Sequence, residues 1–367
     1  MGRSSLITLP PELLFEICEH LCRHCQHRHG NDTWPWNIDV DDATFRSPSA
    51  DLLSLSRVCK TLRAVTQPFL YHILATFHEH GVYYFIRDVW RHADQARLHE
   101  RVSEIEVGDA KSPNRPEDSE GYGTLISMLL DFAPNLQRAH FRLPSHGTSQ
   151  LDLSRAPLTS LKALVFSGCG PSFPLEQAIP FIKTAPNLEI LHYTGCTGGL
   201  HWFFNSQNRI VLAPFPPLEN LTELTLTNAR LDVASFFRLL STVGPRLSKV
   251  SIQQLETKLD SRDQFVDFSE VISALSPWTH TLKELSYTVR DWMRHDRVYE
   301  HPSFLQLREF TALETLGVQL FEVVLVQPNV ADVEVHHGPE EDARVLILPE
   351  SLRELTLFGM GSSSLSV

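Results

Sequence analysis

Apolar positions in the first hundred residues recur at helical spacing. Leu13, Leu14, Ile17 and Leu21 fall at i, i+1, i+4 and i+8, which predicts a helix over Leu9–Leu21 with one apolar face. Pro11 suits the first helical position, where no N–H is needed, and Glu12 and Glu16 suit the positive end of the helix dipole. Residues 23–49 hold no sustained period and are rich in Gly, Pro, Asn and Asp, so they read as a loop. Leu52, Leu55, Val58, Cys59 and Leu62 then restore helical spacing over Ala50–Arg63, and a third short helix is expected after a break at Pro68. Val82, Phe85, Ile86, Val89 and Trp90 give a further, strongly amphipathic helical pattern.

From about residue 100 the period changes, and one phrase returns: two apolar positions three apart, followed by another two further on. Its copies begin with Val102, Ile105 and Val107; Leu136, Ala139 and Phe141; and Leu161, Leu164 and Phe166. They continue through Leu188, Leu191 and Tyr193; Leu221, Leu224 and Leu226; and Leu247, Val250 and Ile252. The last are Leu282, Leu285 and Tyr287; Leu313, Leu316 and Val318; and Leu352, Leu355 and Leu357. Roughly 25 to 39 residues separate successive copies, at or above the length of a leucine-rich repeat. Segments between them, at Thr124–Phe132, Leu175–Lys183, Val233–Val243 and Phe268–Leu275, have helical spacing.

Each repeat therefore reads as a short strand plus a helix, and the expected class is α/β. The N-terminal part is a three-helix unit, followed by an irregular leucine-rich-repeat solenoid with parallel strands and outer helices. Cys169 and Cys196 lie eight residues after the first leucine of their repeats, where the repeat consensus takes Asn or Cys to satisfy turn backbone. Asp109–Gly121, Gly198–Pro217 and Gln327–Arg344 read as exposed insertions. The expected organisation is a helical domain at 1–75 with a loop inserted at 23–49, a connecting amphipathic helix at 76–100, repeats at 101–360 and a flexible tail at 361–367.

Composition narrows the function classes. A net charge of −12 disfavours a broad nucleic-acid surface, which needs clustered Lys and Arg. No apolar run is long enough to span a bilayer, no secretory signal precedes Leu9, and residues 1–6 lack a myristoylation pattern. Six cysteines in 367 residues are too few for a disulfide-stapled scaffold. An intracellular protein, cytoplasmic and/or nuclear, is expected, with protein partners and neither nucleic acid nor membrane.

The two parts together resemble an F-box protein with leucine-rich repeats, most nearly of the fungal type. The resemblance is carried by Leu9, Pro10, Glu12, Leu13, Leu14, Ile17 and Leu21, then Asp51, Leu52, Leu53, Leu55, Val58, Cys59, Lys60, Pro68, Leu70 and Tyr71, with the repeats behind them. The sequence departs from the family in its long 23–49 insertion and in Leu62, where many members carry an aromatic. Long loops add little closure entropy, so the helices can still meet. The resemblance implies a substrate-recognition subunit of an SCF-type cullin ubiquitin ligase, with the helices docking on the Skp adaptor and the repeats holding a target protein. Its alternatives are an F-box scaffold acting without ubiquitination and a free-standing leucine-rich interaction module.

The candidate adaptor-binding residues are Leu9, Pro10, Leu13, Leu14, Ile17, Leu21, Leu52, Leu55, Val58 and Leu62, since a short helical unit with surplus apolar residues can bury them in a partner. Alternation along the repeat strands gives a candidate target-binding face of Arg138, His140, Arg142, His192, Thr194, Glu223, Thr225, Lys249, Gln253, Glu284, Thr288, Glu354 and Phe358. No catalytic motif occurs: there is no P-loop, nucleophile elbow or zincin helix, and no cofactor is expected. Cys22, Cys25, His27 and His29 offer thiolate and imidazole ligands suited to zinc. Cys18, Cys22 and Cys25 also fall at i, i+4 and i+7, as buried thiols on a continuing helix would, and this reading takes precedence.

Overall fold

The computed structural model describes residues 9–22, 25, 50–76, 83–84, 87, 102–107, 126–142, 157–169, 178–195, 215–227, 233–255, 268–290, 305–318, 323–326, 344–357 and 363–366. The chain divides into two compact units, Met1–Arg142 with Thr148–Leu161, and Leu143–Gly147 with Lys162–Val367. Both combine helices with parallel strands, so the class is α/β. No helix among the described residues is long and apolar enough to cross a membrane.

Three helices begin the first unit: α1 (Pro11–Leu21), α2 (Ala50–Ser56) and α3 (Lys60–Leu70). Pro11 takes the first turn of α1, and the Pro10 carbonyl accepts from the N–H groups of Leu13 and Leu14 at 3.1 and 3.2 Å. Ala50–Arg63 is not one helix. The chain breaks after Ser56, and Cys59 turns extended (φ −159°, ψ 169°) so that its sulfur accepts the Leu62 N–H at 3.4 Å and caps α3. The break at Pro68 is also corrected, because α3 continues through it to Leu70. Proline there removes one helical hydrogen bond only a turn from the end, and Ala64, whose carbonyl loses that donor, is exposed.

Leu62, Val65, Thr66 and Phe69 at i, i+3, i+4 and i+7 form the buried face of α3, which meets Leu14 and Cys18 of α1 and Leu52 of α2. The next turn leads into β1 (Ile73–Thr76), a strand that the apolar pattern did not announce. β1 pairs in parallel with β2 (Glu104–Val107), and β2 with β3 (Arg138–Arg142). Helical residues 126–131 place Ile126, Leu129 and Leu130 in the core beside Leu136, Ala139 and Phe141. Of the connecting helix, Tyr83, Tyr84 and Arg87 are described and helical, with the Arg87 guanidinium 4.7 Å from the Tyr84 ring centre. Val82, Phe85, Ile86, Val89 and Trp90 lie outside the described residues.

In the second unit, β4 (Ala163–Cys169), β5 (Ile190–Gly195), β6 (Glu223–Thr227), β7 (Lys249–Leu255), β8 (Glu284–Arg290), β10 (Thr315–Val318) and β13 (Glu354–Leu357) pair side by side, all parallel. Every one of the nine apolar phrases contains a strand. Leu164, Leu191, Leu224, Val250, Leu285, Leu316 and Leu355 form one buried row, and Phe166, Tyr193, Leu226, Ile252, Tyr287 and Val318 a second. Helices α4 (Ile179–Thr184), α5 (Val233–Leu240) and α6 (Phe268–Ala274) occupy the intervals where helical spacing predicts them. Two of them reach the strand rows through ring contacts, Phe181 on Phe166 at 5.3 Å and Phe268 on Tyr287 at 5.1 Å.

Register is carried by one repeated bond pattern. The carbonyl before each strand accepts two N–H groups of the next repeat, as Lys162 O does from Glu189 and Ile190 at 2.7 and 2.9 Å. Glu189, Thr222, Ser248, Lys283 and Glu314 repeat the arrangement. Four strands of this unit lie outside the phrase. β9 (Leu305–Gln306), β11 (Val323–Val326) and β12 (Arg344–Ile347) make a separate parallel sheet in the order β11, β12, β9. The expected flexible tail carries β14 (Ser363–Ser366), antiparallel to β13, which pairs a strand edge that would otherwise expose open hydrogen-bonding groups. Residues 109–121, 198–214 and 327–343 of the expected insertions lie outside the described residues, as does Cys196.

Candidate functional site

The helical unit sorts its apolar residues into two sets. Leu14, Leu52 and Leu62, all candidates for docking, are instead buried in the unit's own core at 1 to 2% exposure. Leu9, Ile17, Leu21 and Leu55 are half-buried, and Pro10 is exposed. The large apolar side chains presented to solvent are Leu13 (43% exposed), Phe15 (43%), Leu53 (41%) and Val58 (64%). Val58 is released because the chain breaks before it, which changes the phase that a continuous Ala50–Arg63 helix would have given. Phe15 and Leu53 were not among the docking candidates because neither falls on the predicted apolar stripe. Phe15 remains anchored while exposed, its ring 5.8 Å from that of the buried Phe69.

On the repeat strands, register sets the outward residues into rows. One row runs Glu223, Lys249, Glu284, Thr315 and Glu354 across β6, β7, β8, β10 and β13. The next runs His192, Thr225, Ser251, Ser286, Gly317 and Thr356, and a third Thr194, Thr227, Gln253 and Thr288. Thr227, Ser251, Ser286, Thr315 and Thr356 thus share rows with the candidates and were not among them. In the first unit Arg138 and His140 are half-buried on β3, and Arg142 closes that strand. His192 corrects the expectation of a solvent-facing side chain: it is buried (7% exposed), set between Val165 and Thr225 in the parallel register. Phe358 lies outside the described residues.

Opposite charges alternate along the first row. Glu223 Oε1 accepts from His192 Nε2 at 2.8 Å and lies 3.5 Å from Lys249 Nζ, which is 3.3 Å from Glu284 Oε2. Burial pushes the Glu223 carboxyl up, but the hydrogen bond and charge of His192, with Lys249, outweigh it and hold the group below its usual value. Burial likewise pulls the Lys249 ammonium down, and the flanking Glu223 and Glu284 carboxylates raise it above its usual value. Lys162 with Glu189 (2.9 Å) and Arg353 with Glu314 (3.6 Å) add exposed pairs just before the strands. This face therefore presents paired charges and hydroxyls in place of a single-sign patch.

The third feature is a cluster of sulfur and nitrogen. Cys22 closes α1, its N–H bonded to the Cys18 and Glu19 carbonyls, and Cys25 follows three residues on. Both thiols approach the Nδ1 atom of His72, which sits in the turn between α3 and β1. Burial raises the nearby Cys18 thiol above its usual value, and the Cys22 thiol adds to the shift. His27 and His29, the ligands suggested by spacing, lie outside the described residues. His72 is the residue that sequence spacing missed.

Neither a scan against known protein-family models nor a search of curated proteins gives a match for this chain.

Proposed function

We propose that this protein is the substrate-recognition subunit of an SCF-type ubiquitin ligase, held to the Skp adaptor by its N-terminal helices and to a target protein by its repeat strands. One juxtaposition carries the reading: a three-helix unit exposing Leu13, Phe15, Leu53 and Val58 precedes nine strands built on one apolar phrase. Exposed large apolar side chains on a small helical unit offer a partner surface to cover, and a stable interface covers about 800 Å² per partner. The paired charges and hydroxyls on the strand rows suit a protein target, whose surface offers both signs and many hydrogen-bonding groups. In this role the chain supplies proximity and leaves bond-making to other subunits.

Co-expression of the full chain with the Skp adaptor tests the proposal. Wild type is expected to co-purify with the adaptor, whereas Val58→Asp retains its helical circular dichroism and loses the adaptor. Failure of wild type to co-purify, or undiminished capture by Val58→Asp together with Leu13→Asp, refutes the docking surface named here.

A further inference from the structure

We propose that Cys22, Cys25 and His72 form a zinc site that ties the end of α1 to the turn entering β1. Cys22 Sγ lies 3.5 Å and Cys25 Sγ 3.4 Å from His72 Nδ1, and the three ligand atoms all fall within 4.8 Å of one another. Zinc holds sulfur at about 2.3 Å and imidazole nitrogen at 2.0–2.1 Å, so tetrahedral geometry separates S and N ligands by about 3.5 Å. Both S–N separations are already at that spacing, and with the sulfurs within 4.8 Å of each other the three atoms can close on an ion with little rearrangement.

Burial and backbone hydrogen bonds hold the ligands in place. Cys22 and Cys25 are only 2% and 7% exposed within the helical core. The His72 backbone is pinned on both sides, its N–H donating to Phe69 O and its carbonyl accepting from the Ser103 and Glu104 N–H groups and the Ser103 hydroxyl. Its ring packs 5.3 Å from that of Phe69, the two planes tilted by 60°.

Charge and ligand softness select the metal. Two thiolates and an imidazole favour zinc over hard, oxygen-seeking ions such as magnesium or calcium. Binding releases both thiol protons to solvent, so Zn²⁺ with two thiolates is formally neutral, which suits a site in an apolar core. The imidazole binds through Nδ1 and keeps its proton on Nε2. These three ligands, the ones found among the described residues, fill three tetrahedral positions, and water can take the fourth beside the half-buried His72. The ion would bridge residues 47 to 50 positions apart in a helical unit whose own core is small.

The test uses the full reduced chain, purified with zinc present and analysed for metal. About one zinc per chain is expected. Cobalt titrated into the chelator-treated protein is expected to give the intense visible bands of tetrahedral geometry with thiolate-to-cobalt charge transfer. His72→Ala and Cys25→Ser should each weaken metal binding by more than about a hundredfold, beyond the cost of losing an outer-shell partner. His27→Ala with His29→Ala should leave binding intact. Absence of both stoichiometric zinc and the cobalt bands in wild type overturns the site, and that readout does not depend on any variant folding. Loss of metal on replacing His27 and His29 but not His72 overturns this ligand set.

Discussion

His192 Nε2 donates to Glu223 Oε1 at 2.8 Å, although the parallel register places His192 beside Thr225. The bond is diagonal, and it joins a buried imidazole to a row of alternating charge in which Lys249 bridges Glu223 and Glu284. The consequence is a defined dependence of stability on pH. The Glu223 carboxyl is held below its ordinary value of 4.5, so between the two values the folded state binds fewer protons than the unfolded one. Its contribution is present above pH 4.5 and disappears as pH falls through the lower, folded value. Urea midpoints of wild type and Glu223→Gln are therefore expected to differ at neutral pH and to converge in acid. A gap independent of pH would contradict the assignment.

Lys249 has the opposite sign. Its ammonium is held above its ordinary 10.5, so its stabilisation is complete below that pH and is lost only as pH rises through the higher folded value. At neutral pH the sensitive variable is instead salt, because the side chain is 42% exposed and its pairs are screened. The stability difference between wild type and Lys249→Met should shrink between low and molar salt, as chemical denaturation in urea would record.

Leu13 and Leu14 are adjacent and of one residue type, yet they face different surroundings. Leu14→Ala removes a side chain 2% exposed in the helical core and should cost about 2–5 kcal/mol. Leu13→Ala should stay within about 0.5 kcal/mol of wild type, as surface changes usually do. Thermal unfolding of the two variants makes the comparison, and equal losses would mean that α1 is set at a different phase.

Gly244 admits no side chain. A Cβ there would lie 2.3 Å from the Glu219 carbonyl oxygen and 2.7 Å from its Cα, both backbone atoms that cannot swing away. Its N–H donates to Leu218 O, and its carbonyl accepts from Trp278 Nε1 at 2.7 Å. Gly244→Ala should destabilise by about 1–3 kcal/mol through overpacking. Trp278→Phe should cost about 1 kcal/mol for the lost bond in addition to the change in ring volume. A neutral Gly244→Ala, by denaturant titration, would show that the strand connections at Leu218 and Val243 can separate.

The repeat strands were legible because each phrase spaces its buried side chains at three and then two residues, and Leu188, Leu191 and Tyr193 are all buried accordingly. β1, β9, β11 and β12 were not, since they are short and carry no such phrase. β14 is mostly serine, and only the open edge of β13 makes it a strand. The helix α1 was legible in extent, but its exposed face depends on where α3 packs. Phe15 and Leu53 therefore became readable as exposed surface only in three dimensions. His72 shows the same limit for the cysteine cluster: spacing directs attention to nearby histidines, while the one that meets the thiols is brought by the fold from across the helical core.

Adaptor docking is decided by the binding constant of the purified full chain for the Skp adaptor. Titration calorimetry is expected to give one-to-one association, weakened at least tenfold, or about 1.4 kcal/mol, by either Leu13→Asp or Phe15→Asp. No heat of association with wild type, or equal affinity in all three proteins, would contradict it.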